Sequence, residues 1–324
     1  MSGLRQRLGA LFGARGTPAD AAHMASRVAS RPGASPAAVL AAGEPAAVEE
    51  TAIVVDLRHA FFDWVLGAVS TPSDVLLDGE RRLLAQLDAV LASDDSRAAL
   101  LPRAPAVIPQ LLNSLRDEGQ SATALAERVM RDPHLVAEVI RLSNSAHAAA
   151  AEPIVDIAQA IGRIGTNGLR RAIARVVLKP MFGGTADTLS ARCAQRLWDH
   201  SDAQATACQQ EAGMRGLDPF EGYLAGLMHN VGWTAALRSI DRSKPGAPIR
   251  FSRAFAAEFD QRRETFFALL VIPWRLTASL TALGTALRDG DHAGARSPLG
   301  EALRAANQRA SLQMLRSSQA VLPH

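Results

Sequence analysis

The chain has 324 residues, 48% apolar and 21% charged, with 35 basic and 32 acidic side chains and two cysteines. Such a length predicts one large domain with extensions, or two domains. The composition excludes wholesale disorder, a collagen-like repeat and a disulfide scaffold. No apolar run reaches the ~18–20 residues of a membrane-spanning helix, and no secretory signal is expected at the N-terminus.

A sequence pI of 9.4 suggests a polyanionic partner, but the net charge is only +3. Lys179 and Lys244 are the only two lysines, the other 33 basic residues being Arg, and a small surplus of arginine is enough to lift the pI. Residues 1–33 carry five Arg and one Asp, and residues 296–324 carry four Arg and one Glu. Against a total of +3, this leaves 34–295 at −4. The basic surplus lies at the two ends.

Residues 1–50 read as a leader. From 13 onward it is rich in Ala, Pro, Gly and Ser, with too little apolar surface to offset the entropy of ordering. Ahead of that stretch Leu4, Leu8, Leu11 and Phe12 fall at helical spacing beside Arg5, Arg7 and Arg15. Two readings of 1–15 stay open: a short basic amphipathic helix touching a partner or an anionic membrane surface, or a frayed terminus.

Residues 51–98 form a helical extension. Phe61, Phe62, Trp64 and Val65 lead to a break at Thr71–Pro72, and Leu83, Leu84, Leu87, Val90 and Leu91 then form a second stripe. This extension is expected to pack on the core, because two striped helices alone would leave large apolar patches. Beyond it Val107, Leu111, Leu112 and Leu115 make one helical face, and Leu125, Val129 and Met130 another. Asp132-Pro133 is a helix start, with Asp as N-cap and Pro at the first position. That helix ends at Asn144-Ser145, whose side chains can satisfy free backbone groups. Further helices are expected over about 153–163, 167–179, 187–213, 219–238, 264–287 and 299–318, the last within a basic C-terminal helix at 296–324. No alternating run of strand length persists, so the fold is expected to be all-α.

The glycines Gly162, Gly165 and Gly168 have neither the spacing nor the preceding strand of a dinucleotide fold, and read as a tight turn. Cys193 and Cys208 lie about 22 Å apart along one predicted helix, beyond disulfide reach. Reduced, buried thiols fit a cytoplasmic protein. The informative pair is Trp198-Asp199-His200-Ser201 on one helix and Gly226-Leu227-Met228-His229-Asn230 on a later one. Two histidines on neighbouring helices with an acid beside the second could build a divalent metal site that activates water against phosphate esters. Here an asparagine follows His229, and its neutral amide cannot supply the charge a hard dication needs. The plainer reading is two histidines packed in or beside the core.

Leu101-Pro102-Arg103-Ala104-Pro105, Arg131-Asp132-Pro133-His134-Leu135 and Leu142-Ser143-Asn144-Ser145-Ala146 are followed by the helix carrying Gly162 and Gly165. Then come the Trp198–Ser201 and Gly226–Gly232 stretches. In this order and spacing, over about 100–240 and more loosely to 290, the chain resembles the HDOD family, a non-hydrolysing offshoot of the HD-type metal phosphohydrolases. The resemblance implies an all-α domain over 99–295 and a role in bacterial signal transduction through protein partners rather than catalysis. The chain departs from the related patterns at His229-Asn230, where HD hydrolases carry His-Asp. It also departs at Trp274-Arg275-Leu276-Thr277, where the family often has proline last, and near Leu287-Arg288, where it often has His-His. His200, His229 and Asn230 are therefore expected to be vestigial positions without metal. Pro102, Asp132, Pro133, Asn144, Ser145, Gly165, Trp198 and Gly226 are expected to be structural. The function expected is a non-catalytic signalling or regulatory module without cofactor or specific nucleic-acid partner. The alternatives are a metal-dependent phosphohydrolase with atypical ligands and a nucleotide- or nucleic-acid-binding module.

Overall fold

The structure is a computed structural model that describes residues 57–101, 127, 129–145, 154–243, 250–289 and 297–319. The chain divides into two units, Met1–Pro45 and Ala46–His324. The first lies outside the described residues, as do the rest of the leader, Pro102, the stripe at 107–115 and Leu125. All the described residues belong to the second unit.

Every regular element among the described residues is helical, with one isolated bridge between Thr71 and Ser252. Helix α1 covers 57–66 and ends at Gly67, whose φ of +68° is the left-handed conformation that closes helices without a Cβ penalty. Its Phe62 enters a nest of Trp233, Phe251, Phe255 and Phe259 at centroid distances of 5.6–6.3 Å. Burying such a ring contributes about 1.5–3 kcal/mol. Helix α2 (Asp78–Leu91) buries Leu83, Leu84 and Leu87, and α3 (Asp94–Leu100) starts on a Ser93 cap. Buried Glu80 accepts from Leu77 N–H at 2.8 Å and from the backbone N–H and hydroxyl of Ser252, both at 2.7 Å. It thus ties the start of α2 to the start of a helix some 170 residues away.

Helix α4 (Pro133–Ser145) begins where the Asp-Pro signal places it, Asp132 Oδ1 accepting from His134 N–H at 2.8 Å. At its end Asn144 makes a reciprocal pair with the Ile154 backbone, at 3.0 and 2.9 Å, and the Ser145 hydroxyl donates to Leu142 O at 3.0 Å. The two helices expected at 153–163 and 167–179 run together as α5 (Ile157–Phe182), broken only at Gly165. There φ 63° and ψ −172° lie in a region that is essentially glycine-only. Helices α4 and the first part of α5 enclose a small core of Val129, Leu135, Val139, Ile154, Ala160, Leu169 and Ile173.

The main core is built by α6 (Leu189–Met214), α7 (Pro219–Met228), α8 (Val231–Arg242), α9 (Arg253–Val271), α10 (Ala278–Arg288) and α11 (Pro298–Gln319), with α1–α3 and the end of α5, which adds Ala174, Leu178, Met181 and Phe182. The single helix expected over 219–238 is two, divided at His229–Asn230. The one expected over 264–287 starts earlier, at Arg253, and is interrupted by a 3₁₀ turn at Ile272–Trp274 and a left-handed Arg275 (φ 46°). Pro273 ends the first helix and Thr277 caps the second, accepting from Leu280 N–H at 3.1 Å. Helix α11 buries Leu299, Ala302, Leu303, Ala306, Ala310 and Ser311. Cys193 and Cys208 are free and buried on α6. Burial pushes their thiols up to about 11 and about 12.

Candidate functional site

The site lies where α6 meets the break between α7 and α8. Glycine makes the approach possible: a Cβ on Gly226 would lie 2.7 Å from both Ala205 Cα and Gln204 O of α6, and one on Gly222 would lie 2.6 Å from Cys208 O. Both positions reject a side chain, so α7 lies directly on the α6 backbone. The chain then turns at His229 (φ −54°, ψ −42°) and Asn230 (φ −75°, ψ 2°). The two neighbours therefore serve different partners. Asn230 bonds back to α6, and His229 also reaches across to α9.

Asn230 is 1% exposed and His200 fully buried. The Asn230 amide nitrogen faces Leu197 O at 3.3 Å, His200 Nδ1 at 2.8 Å and Ser201 Oγ at 3.0 Å. A carbonyl can only accept, so the Leu197 contact fixes this group as the NH₂ end. His200 Nδ1 therefore accepts, and its Nε2–H donates to Ser311 Oγ of α11 at 3.1 Å. The Phe61 ring of α1 covers the imidazole at 4.3 Å. Burial, then the nearby His229 and Arg263, press the His200 pKa down to about 3, in keeping with a neutral ring.

His229 forms a second chain of contacts. Gln204 Nε2 donates to its Nδ1 at 2.9 Å, and its Nε2–H donates to the Glu264 carboxylate at 3.0 and 3.1 Å. Arg263 lies beside it, 2.9 Å from Glu264 Oε1 and 2.6 Å from Asp260 Oδ1, with its guanidinium 5.8 Å from the Trp233 ring. Burial pushes the Glu264 carboxyl up, but Arg263 and His229 outweigh it and hold the group well below the usual carboxylate range. Burial pulls the Arg263 guanidinium down, and Asp260 and Glu264 more than restore it. A cavity of about 360 Å³ opens beside His229 and Glu264, between α9, α10, α11 and the start of α1.

This donor set does not fit a divalent metal. The amide NH₂ of Asn230 offers no lone pair to a cation and occupies the lone pair of His200, so Asn230 could offer only its buried, neutral carbonyl oxygen, without the charge a carboxylate would bring. The His229 Nδ1 lone pair is taken by Gln204, and Glu264 is paired with Arg263, which it shares with Asp260.

The expected site residues thus divide. His200 and Asn230 come together, and His229 stands in the adjoining network. Gly226 sets the helix contact that aligns Gln204. Trp198 lies nearby on α6, 5.4 Å from Phe182, with the Arg175 guanidinium 5.2 Å from its ring. Asp132, Pro133, Asn144, Ser145 and Gly165 shape helix ends and the α5 break. Sequence reading missed Gln204, Arg263, Glu264 and Ser311. Gln204 had a visible signal, four residues after His200 on one helix face. Asp260, Arg263 and Glu264 interrupt an aromatic-rich helix at helical spacing, which also marks a charged network facing inward. Ser311 had none.

The HDOD domain model matches residues 101–278 of the chain. No curated protein matches. Among solved structures, the chain is similar to one named "Putative metal-dependent phosphohydrolase" from Shewanella amazonensis SB2B. The likeness covers 71% of this chain and 82% of that one, at 21% identity and a TM-score of 0.54. A Geobacter sulfurreducens HDOD domain protein of unknown function is 18% identical over 70% of this chain and 96% of its own, at a TM-score of 0.43. The first likeness carries the fold alone.

Proposed function

The chain belongs to the HDOD domain family, and from that premise we propose that it is a non-catalytic signalling or regulatory module of the bacterial cytoplasm that acts through protein partners. The observation that carries this reading is the Asn230 amide donating into His200 Nδ1, where a carboxylate would serve a metal. Free, buried Cys193 and Cys208 agree with a reducing compartment. No helix among the described residues is long and apolar enough to cross a membrane. Elemental analysis of the purified chain, paired with a phosphodiesterase assay on a chromogenic diester with added Mn²⁺, tests the proposal. Substoichiometric metal and turnover no higher than that of His200→Ala are expected. Stoichiometric metal with hydrolysis abolished by His200→Ala would overturn it.

A second reading, hydrolysis with atypical ligands, draws on the meeting of His229, Glu264 and Asp260 at one cavity. It would require Arg263 to leave both carboxylates.

A further inference from the structure

Helix α10 has two opposite faces. Leu280, Leu283 and Gly284 are buried on the inner one. A Cβ on Gly284 would lie 3.0 Å from both Ile272 and Val271, so the helix is seated closely on the end of α9 and the turn that follows it. The outer face is an open groove of about 770 Å³, with Ala278, Thr281, Ala282, Thr285 and Ala286 along it and Arg275 and Leu276 at one end. The threonines add no free polar group. Thr281 Oγ1 donates to Thr277 O at 2.9 Å and Thr285 Oγ1 to Thr281 O at 3.0 Å, so both hydroxyls are committed to the helix's own carbonyls. The two ends of the groove carry opposite charge. Arg275 is exposed, held by a left-handed backbone (φ 46°), and pairs with no carboxylate among the described residues. Asp289 follows Ala278 by about three full turns and therefore stands on the same outer face, while Arg288, its 2.8 Å partner, falls to one side. The last carbonyls of α10 add partial negative charge at that end.

We propose that this groove docks a second copy of the chain, with α10 packed against its counterpart, antiparallel about a two-fold axis at Ala282. A two-fold interface is self-complementary, so each residue must suit the one equally far on the other side of the axis. With the axis at Ala282, Ala278 falls opposite Ala286 of the partner subunit. In the same register Arg275 falls opposite the partner's Asp289 and the negative end of its helix. Apolar groups thus meet apolar groups and cation meets anion, each contact being made twice. Short side chains let the two helix axes approach to about 8 Å. Charge argues against other occupants. A polyanion drawn to Arg275 would be repelled by Asp289, and a basic peptide drawn to Asp289 would be repelled by Arg275. One helix face covers less than the about 800 Å² per partner of a standard interface, so the dimer exchanges with monomer at micromolar concentration. The pairing goes beyond the function proposed above and stands apart from the question of catalysis.

Sedimentation velocity of the full chain from about 1 to about 300 µM tests this. A reversible equilibrium between monomer and dimer is expected, with a Kd on the order of 10–100 µM. Ala282→Arg brings two guanidiniums together at the axis and should weaken the dimer about tenfold or more. Arg275→Asp, at a left-handed position that Asp tolerates, and Asp289→Arg should each weaken it about tenfold, since each change acts twice across the axis. Combining Arg275→Asp with Asp289→Arg restores opposite charges and should recover most of the affinity. All three positions are exposed, so the urea midpoint of each variant should stay at the native value, which separates loss of pairing from loss of fold. A chain that stays monomeric to the highest concentration would overturn the proposal. So would a dimer untouched by Ala282→Arg, or a charge-swapped double variant that pairs no better than the single variants.

Discussion

Asn230→Asp restores the acid that the His229-Asn230 pair lacks, and the structure predicts that the fold resists it. The native amide donates to His200 Nδ1 at 2.8 Å and to Ser201 Oγ at 3.0 Å, and faces Leu197 O at 3.3 Å, all at 1% exposure. A carboxylate in the same place has no hydrogen to give and is repelled by the Leu197 carbonyl. His200 can respond by moving its proton to Nδ1, with Ser311 turning its hydroxyl towards Nε2, which recovers one contact. The remaining cost is that of a buried and poorly compensated charge, about 3–5 kcal/mol. At a urea slope of about 3 kcal/mol/M the unfolding midpoint should fall by roughly 1–1.7 M at pH 7.

The pH dependence gives a second readout. Burial raises the introduced carboxyl above its unfolded value of about 3.9. Just above that value the unfolded variant has lost the proton that the folded variant keeps, so folding stability falls as pH rises through the window. Native His200 acts in the opposite sense. Its folded pKa of about 3 lies below the ordinary value of 6.5, so its contribution is full above 6.5 and declines as pH falls towards 3. The deficit of Asn230→Asp relative to the native chain should therefore be largest at pH 7 and shrink towards pH 4. Asn230→Leu removes the donor without adding charge, and should cost about 1–3 kcal/mol without the new carboxyl's pH signature. Urea unfolding followed by circular dichroism measures all three chains. If Asn230→Asp unfolds at the native midpoint at pH 7 with the native pH slope, the amide does not hold His200, and the non-catalytic proposal loses the observation that carries it.

The packing sets three further outcomes. Gly226→Ala places a Cβ 2.7 Å from the α6 backbone and should cost about 1–3 kcal/mol in urea unfolding, whereas Gly162→Ala, in a helix with nothing within 4 Å, should stabilise by about 0.4–1 kcal/mol; equal effects would refute the close crossing of α6 and α7. Phe62→Ala should cost about 3–5 kcal/mol, and limited proteolysis of the native chain should spare 57–100; a near-neutral substitution with early cleavage there would mean that α1 does not seal the core. Cys193 and Cys208, raised to about 11 and about 12 by burial, should resist iodoacetamide at pH 8 until urea unfolds the chain, as followed by mass spectrometry; rapid stoichiometric labelling of the native state would contradict their burial.

The all-α fold was legible because helical apolar spacing repeats along the chain and no alternating run competes with it. Helix starts were legible where one residue carries the chemistry, as at Asp132-Pro133. The division of α7 from α8 was not. His229 and Asn230 both have backbone angles close to helical, and nothing in Met228-His229-Asn230-Val231 breaks a helix by propensity. The break depends on contacts with α6 and α9, which local periodicity does not encode. The site was legible in half for the same reason. His200, His229 and Asn230 are neighbours in short motifs, whereas Glu264 and Ser311 join them from 35 and 111 residues away.

Closure of the site links the chain's ends to its centre. His200 is covered on one side by Phe61 of α1, and its Nε2–H is satisfied by Ser311 of α11. Both residues lie outside the stretch that carries the family likeness, 101–278. Without α1 the aromatic nest around Phe62 would open to water, and without α11 a buried imidazole N–H would lose its acceptor, at about 1–3 kcal/mol. The flanking helices are therefore parts of the site itself.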